Sequence, residues 1–284
     1  MKIYHFFDKD TSTFTYVVCD EETKKCAIID SVLNYDMNAG KTSTTSAEKV
    51  IAYIKKNNLS VEWILETHAH ADHLTASHYL QEKLGGKIGI GECIKDVLKF
   101  WVPLFNTEYD TNLDGTQFDH LFKDGEIFKI GNIEVKVLHT PGHTPACVSY
   151  IMGDHIFVGD TIFMPYVGTA RTDFPGGSAQ MLYQSIQKIL SFPEGTKIYT
   201  CHDYPPEGNE AVYVCTVKDQ KTKNIMVHAG ISEGEYIAAR NEKDKGKAVP
   251  QLLLPSIQVN LRAGNLGEAE NNSIQYIKIP LNII

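Results

Sequence analysis

Between Thr67 and His73 the chain reads Thr67-His68-Ala69-His70-Ala71-Asp72-His73, so three imidazoles and a carboxylate fall within six residues. Such density is hard to explain by packing. Neutral imidazole and carboxylate are ligands for borderline divalent metals, and a strand end opening into a helix can aim several side chains at one point. A lone histidine would more often be structural. Here three later segments supply further ligands: His143 in His139-Thr140-Pro141-Gly142-His143-Thr144-Pro145, Asp160 in Val158-Gly159-Asp160-Thr161, and His202 in Cys201-His202-Asp203-Tyr204. Each follows a strand-like run. Loops at one end of a sheet converge, so residues distant in sequence can share one site. The other six histidines, His5, His78, His120, His139, His155 and His228, lack ligand spacing and read as surface or core residues.

The elements that must carry these loops follow from periodicity. Thr15 to Val18 and Cys26 to Asp30 flank a polar turn and read as a hairpin. Thr45-x-x-Glu48 has the form of a capping box and precedes Val50, Ile51 and Ile54 on one face, which predicts a helix over about residues 46–57. Val61 to Leu65 reads as a buried strand, and residues 71–84, closed by Gly85-Gly86, as the helix after it. Further strands are expected over 87–90, 127–130, 133–138, 148–152, 155–158 and 197–200, with helices over 94–105 and 179–190. Tyr4, Phe6, Phe7 and the Phe100-Trp101 pair could line a substrate mouth, but ordinary core packing explains them more cheaply. Strands that alternate with helices but also adjoin as hairpins predict mixed sheets with helices packed outside, an α/β layered domain.

The 284 residues are 43% hydrophobic and 22% charged, the balance of a folded globular chain. Lysine and arginine total 27 against 35 aspartates and glutamates, a net charge of -8, so nucleic acid is not an expected partner. No apolar run approaches the roughly 18 residues of a membrane span, and no membrane association is expected. Residues 1–10 meet acid before any apolar core of signal-peptide length, which predicts a cytoplasmic protein. Cys19, Cys26, Cys93, Cys147, Cys201 and Cys215 form no C-x-x-C pair and are expected as free thiols, although Cys19 and Cys26 could face each other across the hairpin.

With these residues in place, the chain resembles the metallo-β-lactamase superfamily, whose His-x-His-x-Asp-His signature is matched in full by His68 to His73. The resemblance implies an αββα sandwich with the metal at one edge of the sheets. In the family's two-metal hydrolases, residues like His68, His70 and His143 form one site and residues like Asp72, His73 and His202 the other, with the equivalent of Asp160 bridging. All seven are present, so the inventory alone does not choose between one metal and two. The segment Gly168-Thr169-Ala170-Arg171-Thr172-Asp173-Phe174-Pro175-Gly176-Gly177 is similar to the Gly-Arg-Thr-Asp-Phe element of persulfide dioxygenases, with Ala170 where they usually carry glycine. It is closer still to a stretch in the bacterial β-lactamase hydrolase-like proteins. That similarity continues through His202 to Pro206 and Leu254 to Gly264. It implies a single domain over 1–284, the part from about residue 205 being an integral extension, with no rhodanese-like domain.

For the persulfide dioxygenase branch the resemblance implies one Fe(II) per chain on His68, His143 and Asp160, leaving positions for O2 and a sulfur substrate. His70, Asp72, His73, His202 and Asp173 would orient these ligands, or in part hold a second metal. The implied reaction converts glutathione persulfide, or a related low-molecular-weight persulfide, with O2 and water to sulfite and glutathione. Arg171 is the candidate for holding a glutathione carboxylate, with Thr172 beside it; the competing reading of Arg171 is an internal salt bridge with Asp173. Thr172 and Asp173 would also shape the loop. Tyr204 could offer its hydroxyl at the metal, with a structural tyrosine as the alternative. The competing enzyme is a glyoxalase II-like glutathione thioester hydrolase with one or two zinc ions, which needs Lewis acidity and no redox chemistry. A metal-stabilised sensory module is a third reading, for which no partner surface is marked. A homodimer is compatible with the family.

Overall fold

The computed structural model of the protein describes residues 1–282. In chain order its elements are β1 (Lys2–Asp8), β2 (Thr13–Cys19), β3 (Lys25–Ile29), β4 (Val32–Asp36), β5 (Lys41–Ser43), α1 (Thr45–Lys56), β6 (Ser60–Leu65), β7 (Leu74–Thr75), α2 (Ser77–Leu84), β8 (Lys87–Gly91), α3 (Ile94–Phe105), β9 (His120–Phe122), β10 (Ile127–Ile130), β11 (Ile133–His139), β12 (Val148–Met152), β13 (His155–Phe157), α4 (Ala179–Leu190), β14 (Lys197–Tyr199), β15 (Val214–Thr216), α5 (Val217–Lys223), α6 (Glu233–Asp244) and α7 (Leu253–Asn260). They form two six-stranded sheets, ordered β1-β2-β3-β6-β8-β9 and β10-β11-β12-β13-β14-β15, and a small sheet β5-β4-β7. Both large sheets are mixed. The pairs β3/β6, β6/β8, β8/β9 and β13/β14 are parallel and the remaining neighbours antiparallel.

Period-two alternation explains the layering. In β2, Phe14, Tyr16 and Val18 face the second sheet's Val135, Val137, Tyr150 and Phe157, while Val17 and Cys19 join α1, α2, α3 and α7 on the other side. Every residue of β2 is buried, as a strand covered on both faces requires. A third core holds α4 and α6 against the outer face of the second sheet. The expected αββα sandwich is therefore the observed one. Leu253, Ile257 and Val259, from the part beyond residue 205, belong to the same core as β2 and α1. Among the described residues no helix is long and apolar enough to cross a membrane.

Two local expectations need correction. The helix expected over 71–84 begins only at Ser77, because residues 71–73 turn to present the ligand loop and Leu74 and Thr75 pair with Leu33 and Val32 in β4. Thr45 does not close a capping box on α1. Instead the Asn34 side-chain oxygen accepts the Ser46 N–H at 2.8 Å, and Glu48 accepts the Tyr79 hydroxyl at 2.5 Å. Cys19 and Cys26 are partners in the hairpin register, yet all six cysteines are free.

Candidate metal centre

All the ligand candidates come to one edge of the sandwich. His68, His70, Asp72 and His73 lie in the loop leaving β6, while His143, Asp160 and His202 follow β11, β13 and β14. The five imidazoles and Asp160 are buried, and Asp72 is partly exposed. They fall into two groups. In the first, His68 Nε2 and His143 Nε2 stand 3.9 and 3.7 Å from Asp160 Oδ2. In the second, His202 Nε2 stands 3.2 Å from Asp72 Oδ2, His73 Nδ1 stands 3.4 Å from Asp72 Oδ1, and His70 completes the set. Asp160 faces both groups, its Oδ1 lying 3.4 Å from His202 Nε2. Two glycines permit this approach. A Cβ on Gly142, at φ +138°, would lie 2.3 Å from the Leu182 nitrogen, and one on Gly159, at φ +51°, would lie 2.4 Å from Thr67 Oγ1.

The tautomers are set from behind the site. His143 Nδ1 donates to the Arg171 carbonyl at 2.8 Å and His202 Nδ1 to the Ser12 carbonyl at 3.2 Å. His68 Nδ1 lies 3.0 Å from the Thr67 hydroxyl, which spends its own proton on Asp30 Oδ2 at 2.9 Å and so accepts from the ring. His70 Nε2 sits between Asp30 Oδ1 at 3.1 Å and Glu66 Oε2 at 3.2 Å. A proton fixed on the rear nitrogen leaves a lone pair on the front one. Accordingly His68 Nε2, His70 Nδ1, His73 Nε2, His202 Nε2 and Asp160 Oδ1 are all buried without a hydrogen-bond partner. An unsatisfied buried polar atom costs roughly 1–3 kcal/mol. These five, divided between the two groups, are donor atoms that divalent cations would satisfy.

Electrostatics separates the imidazoles. Burial, reinforced by the neighbouring rings, holds His68 well below the ordinary imidazole range, and His73 is lowered for the same reasons. Burial also opposes the charge on His70 and His202, but Asp30 and Glu66 outweigh it at His70, and Asp72 and Asp160 outweigh it at His202, so both are raised. Asp72 is lowered despite burial, by His202 and His73. Asp30 and Glu66 were not singled out by sequence. The available signal was an acid at the buried end of each of β3 and β6, where only a paired carboxylate is tolerated.

The segment after Asp160 closes over the first group. The Arg171 carbonyl holds His143, and the Phe174 ring lies 5.2 Å from the His143 ring, edge to face. The Arg171 side chain forks onto Asp173, at 2.6 and 2.7 Å, and gives Nη1 to the Ala248 carbonyl at 2.8 Å. Thr172 is buried, with its N–H and hydroxyl both directed to Asp244. A cavity of about 300 Å³ opens on His143, Asp160 and Asp72, and its rim carries Arg171 together with Lys243 and Lys247, two cations the sequence reading did not mark. Half-exposed Tyr204 lines the same cavity, its ring stacked on His202 at 6.1 Å. Desolvation, then Asp72 and Asp160, push its hydroxyl above the ordinary tyrosine range, which keeps it a hydrogen-bond donor.

Two mixed sheets between helical layers, with clustered histidines and aspartates at one edge, define a metal-binding α/β sandwich. Residues 8–202 match the Metallo-beta-lactamase superfamily, and the chain belongs to that family. Over its whole length it is 53% identical to Glyoxylase B2 of Dictyostelium discoideum, covering 98% of that protein. It is 46% identical over its whole length to the Beta-lactamase hydrolase-like protein of Xylella fastidiosa, of which it spans 65%. With the mitochondrial Persulfide dioxygenase ETHE1 of Homo sapiens it shares 30% identity over 91% of this chain and 87% of that one. The crystal structure of ETHE1 from Myxococcus xanthus superposes with a TM-score of 0.74 at 27% identity, covering 93% of this chain and 100% of that one.

Proposed function

We propose that this chain is a persulfide dioxygenase that oxidises glutathione persulfide at a single Fe(II) held by His68, His143 and Asp160. One observation carries the reading: these two imidazoles and one carboxylate cluster within ligand distance of one another, and the segment that resembles the persulfide dioxygenase element is the one bonded to them, through the Arg171 carbonyl on His143. Iron bound there supplies redox chemistry and open positions at which O2 and a sulfur anion can meet. The overall change is persulfide plus O2 plus water giving glutathione, sulfite and two protons; the sulfane sulfur loses four electrons and O2 gains them.

The chain's own residues hold and orient. Thr67 and the Arg171 carbonyl keep the His68 and His143 front nitrogens unprotonated. The Phe174 ring covers His143 on the cavity side and limits water there. Arg171, Lys243 and Lys247 give the cavity a cationic rim suited to the carboxylates of glutathione. Tyr204 offers a proton donor over the mouth. The reading treats 1–284 as one cytoplasmic domain.

A glyoxalase II-like thioester hydrolase is the second reading, favoured by the name of the Dictyostelium relative and by the lone pairs of His73 and His202, which suit a second metal. An oxygen electrode with a sulfite assay separates the two. Iron-loaded protein should consume O2 with glutathione persulfide and release sulfite in equal amount. Cleavage of lactoylglutathione at enzyme-like rates without persulfide-dependent O2 uptake overturns the proposal in favour of the hydrolase.

A further inference from the structure

We infer that helix α6 positions the metal ligand His143, with Arg240 and Asp244 as the positioning residues. Ser232 and Glu235 start α6 with a reciprocal capping box, which fixes the helix where its buried face begins. That face is Tyr236, Arg240 and Asp244, spaced four apart and therefore in one row. All three meet the segment between β13 and α4. Tyr236 and Thr169 share a hydroxyl hydrogen bond at 2.9 Å, and Arg240 Nη1 donates to the Thr169 carbonyl at 2.9 Å. Asp244 Oδ2 accepts the Thr172 N–H at 2.9 Å and the Arg240 Nε at 2.9 Å, while its Oδ1 pairs with Arg240 Nη2. Just past the helix, the Ala248 carbonyl accepts Arg171 Nη1 at 2.8 Å.

Residues 169, 171 and 172 are thus gripped from one side, and the carbonyl between the gripped groups, that of Arg171, accepts His143 Nδ1. Arg240 is fully buried and Asp244 nearly so. A buried ion pair is a poor device for stability alone, since apolar residues of similar volume often do as well. Its value here is direction: it fixes two backbone groups on either side of the carbonyl that sets a ligand's tautomer. When that carbonyl swings away, His143 is free to carry its proton on Nε2, and a protonated nitrogen cannot ligate. The inference concerns the ligand and not the reaction, so it holds for iron or zinc and stands apart from the dioxygenase reading.

The test uses the full chain with cobalt(II) as a spectroscopic probe. Affinity is read by competition with a chelator, coordination from the visible d–d bands, and folding from the thermal midpoint. Asp244→Ala should weaken cobalt binding about tenfold or more and alter the d–d spectrum, as loss of an outer partner of a ligand does. Asp244→Asn should fall between, because its amide oxygen can still accept the Thr172 N–H. Glu242→Gln, on the exposed face of the same helix, should match wild type. In a His143→Ala background, Asp244→Ala should cost little further affinity, because the residue it acts through is gone. A folded Asp244→Ala with a lower midpoint but wild-type affinity and spectrum overturns the inference, as does full additivity with His143→Ala. Should Asp244→Ala not fold, Asp244→Asn and Arg240→Lys carry the same measurements, and wild-type values in both overturn it.

Discussion

His68, His143 and Asp160 differ from His70, Asp72, His73 and His202 in how their charge is balanced. In the second group carboxylates outweigh burial at two rings: Asp72 stands 3.2 Å from His202 Nε2, and Asp30 and Glu66 flank His70, so both rings are shifted toward carrying a proton, while His73 is lowered. In the first group Asp160 is the one carboxylate, standing 3.9 and 3.7 Å from the two rings. His68 is pushed well below the imidazole range by burial and its neighbouring rings, so a proton is a poor occupant of its front nitrogen. Residues of the same types in one pocket are thereby given different tasks by what lies behind them. On the proposed reading a metal would sit on the first group, and the carboxylates beside His70 and His202 would let those two rings hold protons instead.

The largest expected effect tests that division directly. His68→Ala should abolish iron binding, whereas His70→Ala should leave a measurable iron site; elemental analysis of the purified variants reads both. Equal loss in the two variants would erase the distinction. Next comes Gly142→Ala, which forces a side chain onto the Leu182 backbone at a left-handed φ. It should cost roughly 1–3 kcal/mol and lower the melting temperature. Gly195→Ala meets nothing within 4 Å and should leave the melt unchanged.

Substitution within the second group should be milder. Asp72→Asn is expected to weaken iron binding about tenfold while leaving one iron at saturation, measured by chelator competition. Loss of one metal from a pair would instead mark Asp72 as a ligand. The smallest effect concerns Arg171. Its carbonyl holds His143 and its side chain is already forked onto Asp173, so Arg171→Ala should leave iron content intact. One charge-assisted bond to substrate is worth roughly 1.5–3 kcal/mol, so KM for glutathione persulfide should rise about tenfold with kcat little changed, Lys falling between. A persulfide of a small thiol without carboxylates should not register the change. An equal loss on both substrates would assign Arg171 to the loop alone.

Periodicity was sufficient for the sandwich because the central strands are covered on both sides, which forces the apolar runs of β2 and β12. It was insufficient where long-range pairing overrides local pattern. Leu74 and Thr75 look like the first turn of a helix but are taken by β4, and Lys2–Asp8 is held as an edge strand by β2. The ligands were legible because their chemistry demands particular residue types at close spacing. Their supports were not. Asn260 gives its amide to the His70 and His73 carbonyls and accepts the Thr75 N–H, shaping the ligand loop from nearly 190 residues away. Arg240 and Asp244 act from α6 in the same way. An asparagine or an ion pair carries no local signature of what it holds, and only the fold brings it to its partner.

Element-specific metal counting on protein produced with iron and zinc both available distinguishes a single metal at His68, His143 and Asp160 from a metal pair. One iron per chain, lost in His68→Ala and kept in His70→Ala, is the predicted result. Two zinc ions per chain, with activity restored by zinc and not by iron, would contradict it.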